Sequence, residues 1–455
     1  MIAKLTKQSS PDRIFRGAHQ LFAELFLSLL EGCGRSGLVV PTGIATDNST
    51  KAFFDAISSG GRLVSLYDFE NREGLFPAVD SRMKFALLTL GTEVEATDFV
   101  FFATGTSHLS DSRRHFTLSA NDIALINPNT RTCPVFRSQM DAELTKEIYS
   151  RVPVLIDEAL GNAGNPWGIS FRQGLFNMTS DSHLFFDEPS ADCLPLYEAK
   201  LIHHYDHRWA TYTADSSSRD VALAEKQDPG FQVTPRYWVE KREVQDRLQA
   251  QGWDRQWLMG WRDICRSTDE RTVIASVVPI GAIGHTMPIF FTREEPRLLC
   301  CFLGNWQCLV LDFNARNNIG GTHLTYSYLK QFPFLSPSAY DQPAIDFIQP
   351  HVLELTYTAH DLKPWAEDLG YDGPPFRFDP ERRALLRAEL DAFYAHLYGL
   401  NRDELRYILD PADVMGPDYP SETFRVLKNN EIRQFGEYRT QRLVLEAWDR
   451  LFGGG

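Results

Sequence analysis

Alternating helical and strand-like segments in the first ninety residues constrain the fold of this chain more than any other feature. Apolar residues recur at helical spacing over 15–30, and 49–57 has a similar spacing. Between them, 37–43 (GLVVPTG) is a short continuous apolar run, typical of a strand buried on both faces of a parallel sheet. Segments 62–69 and 83–90 are interpreted as strands joined by a loop and not by a crossover helix. The sequence therefore predicts an α/β unit whose last strands are antiparallel.

After Gly91 the pattern changes to short mixed segments with frequent proline and glycine, which is typical of an α+β domain with long loops. Within it, the apolar residues 309–313 are interpreted as a strand. From Asp379 the apolar spacing is helical again. We expect three regions: an α/β region over 1–110, an α+β region over 111–340 and a helical C-terminal region over 341–455.

The balance of charges limits the partners of the chain. Its 46 Lys and Arg residues stand against 60 Asp and Glu residues, which gives a net charge of -14. This excludes a protein that coats nucleic acid or acidic membranes by bulk attraction, while a local basic groove is compatible with it.

Cysteine spacing and hydropathy point to the cytoplasm. The seven cysteines contain no CxxC pair, so neither a zinc site nor a disulfide framework is expected. Residues 1–15 mix charged and small polar residues and lack the apolar core of a signal peptide. The most apolar stretch, 298–313, is too short to cross a bilayer and contains Asn305 and Gln307. We expect a soluble cytoplasmic protein with buried thiols.

Two motifs near the N-terminus resemble ligand sites in part. Residues 32–37 match GxGxxG, but the predicted helix precedes the motif and the strand follows it. This is the reverse of the order in which a helix N-terminus holds a phosphate, so no cofactor is expected there. Asp68 and Glu70 could form an acid/base pair, although a solvated strand end is the favoured interpretation.

Two polar segments of the middle region leave more than one interpretation open. The run 200–208 (KLIHHYDHR) could meet a phosphate or a base edge, or form a satisfied structural network. A metal is the least favoured, because His203 and His204 would face opposite sides of a strand. In 316–323 (RNNIGGTH) the two glycines permit a close backbone approach, either to a phosphate or to another loop.

Four N-terminal segments resemble the second half of the methyltransferase domain of adenine-N6 DNA methyltransferases. The resemblance is to the large fused type IIG restriction-modification enzymes and to relatives in phage-defence systems such as BREX and DISARM. The segments are 19–27 (HQLFAELFL), 34–43 (GRSGLVVPTG), 63–70 (LVSLYDFE) and 75–88 (LFPAVDSRMKFALL). The resemblance implies an incomplete Rossmann-like sheet with an antiparallel last strand. It also implies that Phe76, in the Phe-Pro loop, stacks on an adenine flipped out of the duplex; a core phenylalanine at a strand end is the alternative.

The resemblance extends to the target-recognition region and the helical C-terminal end of the same enzymes. It is carried by 122–136, 195–209, 269–275 and 320–324, and then by 379–409 and 436–446. Double-stranded DNA is the implied partner, with Arg and Lys mainly reaching phosphates and Asn or His reaching base edges. The candidate contacts are Arg131, Arg137, Lys200, His203, His207, Arg208, Asn317 and His323.

Two motifs of that family are missing from this sequence. The family binds S-adenosylmethionine through an acidic, glycine-containing first motif, and holds the target amino group with an Asn/Asp-Pro-Pro-Tyr/Phe tetrapeptide. Here 374–376 (PPF) follows Gly373, and Asn127-Pro128 is followed by Asn129, so neither substitutes. We therefore expect this chain alone neither to bind S-adenosylmethionine nor to methylate DNA, because nothing would position the amino group for attack.

A half sheet should expose an apolar edge and face unless another polypeptide covers it. A separate chain could supply the first half of the methyltransferase domain, or the sequence could be a truncated gene product. The alternatives are a non-catalytic DNA specificity subunit that partners a separate methyltransferase chain, and an unrelated α/β interaction protein.

Overall fold

The structure is a computed structural model that describes residues 18–92, 94–266, 268–319 and 321–453. The chain divides into two compact units. Unit 1 comprises the chain up to Ser150 together with Met415–Glu422, and unit 2 comprises Arg151–Val414 and the chain from Thr423 onward. The boundaries expected at residues 110 and 340 concern functional regions and stay predictions.

The fold is mixed α/β, with several small sheets and many helices. The strands of the described residues are β1 (Ser36–Pro41), β2 (Leu63–Glu70), β3 (Lys84–Leu90), β4 (Thr97–Ala103), β5 (Phe116–Leu118), β6 (Ser170–Arg172), β7 (Cys193–Tyr197), β8 (Ala210–Tyr212), β9 (Ser218–Asp220), β10 (Trp238–Glu240), β11 (Trp257–Trp261), β12 (Ala275–Pro279), β13 (Ala282–Ile283) and β14 (Ile289–Phe291). The helices are α1 (Ala18–Leu29), α2 (Gly43–Thr46), α3 (Lys51–Ser59), α4 (Ala120–Ile126), α5 (Gln139–Arg151), α6 (Leu223–Gln227), α7 (Lys241–Gln249), α8 (Pro296–Gln307), α9 (Leu309–Arg316), α10 (Tyr326–Leu329), α11 (Gln342–Thr356), α12 (Lys363–Asp368), α13 (Pro380–Leu397), α14 (Arg402–Leu409), α15 (Pro411–Met415), α16 (Arg425–Phe435) and α17 (Arg439–Phe452).

Unit 1 is built on a five-stranded sheet of order β1-β3-β2-β4-β5. β3 lies antiparallel between β1 and β2, β4 is parallel to β2, and β5 is antiparallel to β4. The antiparallel pairing of β2 with β3 confirms the sequence prediction for these two strands. One part of the core lies between β2 and β4, where Phe69, Val100 and Ala103 pack together.

The prediction of a doubly buried parallel strand at 37–43 is wrong. β1 lies at the edge of the sheet, its partner β3 is antiparallel, and Val39 is 60% exposed. A strand is covered on both faces only when neighbours and helices surround it, and β1 has one strand partner among the described residues. The preceding helix α1 exposes the large apolar side chains of Leu21, Phe22, Leu25, Phe26 and Leu29. The incomplete sheet implied by the family resemblance would expose an apolar edge and face of this kind. The predicted helix start at Phe15 lies outside the described residues.

Unit 2 contains three small sheets, of orders β10-β7-β13, β12-β11-β14-β6 and β8-β9. The helix α8 packs against the four-stranded sheet, where Trp306 contacts Trp261 and Phe290, and the residues of α8 and α9 from Leu299 to Arg316, Cys308 included, are buried. The interpretation of 309–313 as a strand is wrong, because this segment forms α9. A helix that is buried on all sides has the same continuous apolar run as a buried strand, so apolarity alone does not separate them.

Within the described residues no single helix is long and apolar enough to cross a membrane. The pair α8 and α9 reaches that length and apolarity together, bent by 51°.

The helical C-terminal region confirms its predicted pattern. Asp379 caps α13, its side chain accepting hydrogen bonds from the backbone N–H groups of Glu381 and Arg382. The helix ends at Leu397, before Gly399, whose φ of +74° favours glycine. Likewise, α16 ends at Gly436 with φ +78°, and α17 follows.

Candidate nucleic-acid interface

Polar and aromatic side chains gather at one edge of the unit 1 sheet. β2 and β4 are parallel, so their last residues lie on the same side. β3 begins on that side, with Phe85 opposite Pro41 at the end of β1 and Lys84 opposite Glu70 at the end of β2. We call this side the carboxyl edge. Open α/β sheets bind their ligands at such edges.

Phe76 lies in the loop that joins β2 to β3 at the carboxyl edge. Its side chain is 43% exposed, so the alternative of a core phenylalanine does not describe it. Its ring meets the ring of Phe85 edge-on, at 4.8 Å between centroids, and Phe85 in turn stacks on Phe69 at 5.3 Å. The rings of Phe85 and Phe69 thus support Phe76 from one side, and part of the Phe76 ring stays exposed to solvent.

Asn71 holds the loop that carries Phe76, and sequence reasoning missed it. Its side chain is buried; its Nδ2 donates to the carbonyl oxygens of Phe76 at 2.9 Å and Val79 at 2.8 Å. Its Oδ1 accepts from the Phe76 backbone N–H at 2.9 Å. An Asn directly after a strand and five residues before Phe-Pro was the available signal, since Asn side chains often replace backbone partners in turns.

Asp68 is buried at the carboxyl edge, which corrects its interpretation as part of a solvated strand end. Its carboxylate accepts hydrogen bonds from the Thr42 hydroxyl and, at 3.3 Å, from the Phe102 backbone N–H. Burial raises the pKa of Asp68 although the Thr42 hydrogen bond opposes that change. Glu70 is half-buried and pairs with Arg72 at 2.5 Å and Lys84 at 3.2 Å.

Two cations flank the ring of Phe102 at the end of β4. The Arg137 guanidinium lies 4.1 Å from the ring centroid, and the Lys84 ammonium lies 5.1 Å from it. Phe102 has φ +59°, which is strained for a residue with a side chain and fixes the direction in which the ring projects. The structure thus brings the candidate Arg137 to the carboxyl edge, against the ring of Phe102 at the end of β4.

The remaining unit 1 candidate, Arg131, is exposed. Its φ is +53°, and its Nε donates to the Pro128 carbonyl at 3.2 Å. Most of its guanidinium donors therefore stay available to an anionic partner.

In unit 2, Lys200 is exposed and its ammonium lies 4.3 Å from the centroid of the Tyr212 ring. His203 is half-buried and stacks on Trp209 at 4.1 Å between centroids. Burial, with Arg262 nearby, lowers the pKa of His203 to about 3, so its ring is neutral at pH 7. Among the described residues, no group of three or more His, Cys, Asp or Glu side chains could hold a metal ion.

His207 and Arg208 are enclosed by protein. The His207 Nε2 lies 2.9 Å from an Asp361 carboxylate oxygen, and both side chains are nearly inaccessible. The Arg208 guanidinium donates to the carbonyl oxygens of Lys226, Asp228 and Thr358 at 2.7 to 3.0 Å. By sequence, the run 200–208 is interpreted either as a DNA contact or as a structural network. His207 and Arg208 belong to a structural network, so we leave them out of the proposed DNA contacts.

The 316–323 motif places its two candidates differently. Asn317 is buried at the end of α9. The His323 side chain is 58% exposed, and its Nδ1 lies 2.9 Å from a carboxylate oxygen of the largely buried Asp263. That carboxylate orients the ring and leaves Nε2 on the outside. Gly320 of this motif lies outside the described residues.

No family model and no curated protein matches the chain. Among solved structures, the chain is similar to the type IIG restriction endonuclease BpuSI, with 13% identity and a TM-score of 0.30 over 90% of this chain and 51% of that one. It is also similar to the type IIL restriction-modification enzyme MmeI, solved in complex with DNA, with 12% identity and a TM-score of 0.36 over 90% and 50%. The chain spans about half the length of either structure. These structural neighbours are thus restriction-modification enzymes of types IIG and IIL, at low identity and low TM-score.

Proposed function

We propose that this chain is the DNA-recognition part of a site-specific adenine-N6 DNA methyltransferase of a restriction-modification or phage-defence system. The observation that supports this best is the half-exposed ring of Phe76, which the buried Asn71 holds at the carboxyl edge. An adenine rotated out of a duplex loses its stacking partners, and an aromatic face restores part of the lost energy. The family resemblance assigns that task to this Phe-Pro loop.

The cations at the carboxyl edge suit the same task. Lys84 and Arg137 both contact the ring of Phe102, so this ring positions them at the end of β4 before DNA arrives. A flipped nucleotide carries its phosphates with it, and guanidinium groups bind phosphates, whereas the Lys84 ammonium is already paired with Glu70. We assign Arg137 to the backbone near the flipped base, and Arg131 to a neighbouring phosphate.

Unit 2 reads the flanking sequence in this proposal. Lys200 reaches a phosphate, and His323 meets a base edge through its outward Nε2. When the ring is neutral and its Nδ1–H donates to the Asp263 carboxylate, Nε2 is an acceptor and would select an exocyclic amino group of adenine or cytosine. His203 contributes a neutral ring that is only partly accessible.

A binding experiment with altered duplexes tests the stacking role of Phe76. One duplex has a mismatch at the adenine of the recognition site, which lowers the energy needed to flip that base, and the other is fully paired. We expect Phe76→Ala to weaken binding of the mismatched duplex by roughly fivefold to 150-fold, the range of one base–aromatic stack. Phe76→Tyr keeps an aromatic face and should restore most of the affinity.

Two outcomes would count against the proposal. Equal affinity of Phe76→Ala and the unchanged protein for the mismatched duplex would remove the stacking role. Failure of the unchanged protein to bind any duplex at low salt would favour the unrelated α/β interaction protein, since phosphate contacts must show at low ionic strength. Phe186→Ala is the matched control for loss of an exposed aromatic ring, because Phe186 is 44% exposed.

S-adenosylmethionine belongs to the intact enzyme in this proposal. The sequence contains neither the first motif nor the tetrapeptide that the family uses, so we expect no cofactor binding and no methyl transfer by this chain alone. The residues here would place DNA and the flipped adenine against groups that another polypeptide segment supplies.

The apolar side of unit 1 favours one variant of this function, a specificity subunit that joins a separate methyltransferase chain. Among the described residues no strand pairs with the outer edge of β1, and Phe22 and Leu29 of α1 are 59% and 65% exposed. Contiguous exposed apolar side chains beside a free strand edge are typical of an interface. An added strand and its helix would cover both.

Co-expression with the chain encoded next to this one tests the variant. A stable complex that binds S-adenosylmethionine supports it, and the double variant Phe22→Glu/Leu29→Glu should abolish the complex while each unit keeps its fold. Leu160→Glu is the control, because Leu160 in unit 2 is 61% exposed and lies outside this surface. A complex that survives the double variant contradicts the assigned surface.

A further inference from the structure

Unit 2 contains a cavity of about 670 Å³ that the DNA contacts above do not explain. It lies between the loop of His203 and His204 on one side and helices α13, α16 and α17 on the other. Its volume falls within the range of small-molecule sites. A second cavity of about 160 Å³ shares Arg387 and both histidines with it.

The helices leave this space because of the side chains that face it. On α13 the lining residues include the small Ala384 and Ala388, on either side of Arg387 in sequence. On α16, Leu427, Asn430 and Gln434 line the cavity at spacings of three and four residues, which is one face of a helix. The small residues of α13 therefore leave room beside the mostly polar lining residues of α16.

Two of the four arginines that line the cavity have their charge compensated. Arg271 donates to Asp312 at 2.6 Å, and Arg439 donates to Glu381 at 2.6 Å. For Arg387 and Arg433, in contrast, no acceptor lies within hydrogen-bonding distance among the described residues, and neither forms an ion pair there. Arg387 lines the cavity, so its side chain is accessible to solvent although protein atoms surround it.

The acids near these arginines are engaged by other groups. Glu431 accepts from the Thr440 hydroxyl at 2.6 Å, and Asp391 accepts from the Leu309 backbone N–H at 2.7 Å. Burial and the neighbouring Arg271 lower the pKa of Arg387, although the charges of Asp391 and Glu270 oppose that change. An anion in the cavity would add the direct hydrogen-bonded partner that neither acid supplies.

A buried imidazole adds a second unsatisfied group. His204 is 4% exposed, its Nε2 lies 3.2 Å from the Val273 carbonyl, and its Nδ1 has no partner among the described residues. Because Nε2–H donates to the Val273 carbonyl, the neutral ring leaves Nδ1 as an acceptor. A ligand hydroxyl or amino group, or a water that it holds, would satisfy this atom.

We propose that this cavity binds a phosphate ester of about the size of a nucleoside monophosphate, with Arg387 and Arg433 holding the phosphate. Guanidinium groups bind phosphate oxygens through paired, charge-assisted hydrogen bonds, and an enclosed site strengthens them. The same chemistry is carried by a free nucleotide and by the backbone of DNA. The site does not depend on base flipping at Phe76, so it stands or falls separately from the proposed function.

Calorimetric titration of the full chain with adenosine monophosphate, inorganic phosphate and adenosine tests the site. We expect adenosine monophosphate to bind, and adenosine to bind at least about tenfold more weakly because it has no charge for the arginines. Arg387→Gln and Arg433→Gln should each weaken adenosine monophosphate binding at least about tenfold. Arg242→Gln is the control, since Arg242 lies on the surface of α7 with 86% of its side chain exposed and should leave binding unchanged.

Two results would overturn the proposal: no binding of adenosine monophosphate or phosphate at millimolar concentration, or equal affinity in Arg387→Gln and the unchanged protein. Unfolding curves of each variant show whether its fold is kept, and the conservative Arg387→Lys, which retains a charge, should recover part of the affinity. Titration with a short duplex then separates the sources of the phosphate. If Arg387→Gln also weakens duplex binding and adenosine monophosphate competes with the duplex, the site takes the DNA backbone. If duplex binding is unchanged, the ligand is a free nucleotide.

Discussion

Replacing Asn71 by Ala should loosen the Phe76 loop without unfolding unit 1. The side chain makes three hydrogen bonds at 2.8 to 2.9 Å, two to the carbonyls of Phe76 and Val79 and one from the Phe76 N–H. A buried hydrogen bond contributes a net 0.5 to 1.5 kcal/mol, so the three together stabilise the closed loop by roughly 2 to 4 kcal/mol. The loop's own opening free energy should fall by about that amount. The global free energy of unfolding should fall by less, because the sheet strands keep their pairing.

Hydrogen exchange measures this directly. Protection of the Phe76 amide should fall by roughly 30-fold to 1,000-fold in Asn71→Ala, whereas amides in the middle of β2 and β3 should change little. Asn71→Asp is an informative companion, because it keeps the acceptor for the Phe76 N–H and loses both donors. If the Phe76 amide stays as protected in Asn71→Ala as in the unchanged protein, the side chain does not hold the loop and the reasoning fails.

Two buried acids should give the protein opposite pH dependences. Burial would raise the pKa of Asp206, but Lys226 at 2.5 Å and a nearby arginine more than offset it and lower the pKa to about 2. Its stabilising contribution is therefore present above about pH 4 and lost as the pH falls towards 2. Asp206→Asn leaves the buried Lys226 without its carboxylate partner. The free energy of unfolding at pH 7, measured in denaturant titrations, should therefore drop by about 3 to 5 kcal/mol. Burial raises the pKa of Asp391 to about 6, so its favourable contribution is present below pH 4 and lost as the pH rises through 6. Asp391→Asn, which can still accept from Leu309, should remove about 3 kcal/mol of that fall in stability between pH 4 and 7; an unchanged pH profile would contradict it.

The elements that the sequence predicted correctly depend on local signals. The helical spacing after Asp379 and the two strands around the Phe76 loop are encoded in neighbouring residues, so periodicity was sufficient to find them. The prediction of a strand at 309–313 is wrong because the local pattern there does not depend on the type of element. All residues of α9 are buried, so no exposed polar face marks its helical period, and its charged residues Asp312 and Arg316 pair with each other at i and i+4.

The candidate site was predictable in part, for the same reason. Phe76 was found from a local motif, but Asn71 acts through backbone atoms that any residue carries, so its partners leave no mark in the sequence. Arg208 looks like a DNA contact in sequence because it is a cation in a polar run. Its guanidinium is buried and donates to carbonyl oxygens that include that of Thr358, 150 positions away. A local sequence pattern cannot reveal such distant partners.

The salt dependence of DNA binding follows from how few cations remain for phosphates in an acidic chain. Five of the candidate residues with cationic or imidazole side chains stay accessible, and three of these, Arg131, Arg137 and Lys200, are the Arg and Lys residues suited to phosphates. Each neutralised phosphate contributes about -0.9 to the slope of log K against log salt, so these three predict a slope of about -2.7. Lys200→Gln should bring the slope to about -1.8 with equal loss of affinity for all sequences. His323→Gln should leave the slope unchanged and alter the preference at one base pair. A slope steeper than about -6 would show that phosphates are held elsewhere on this surface, because three cations cannot release that many counterions.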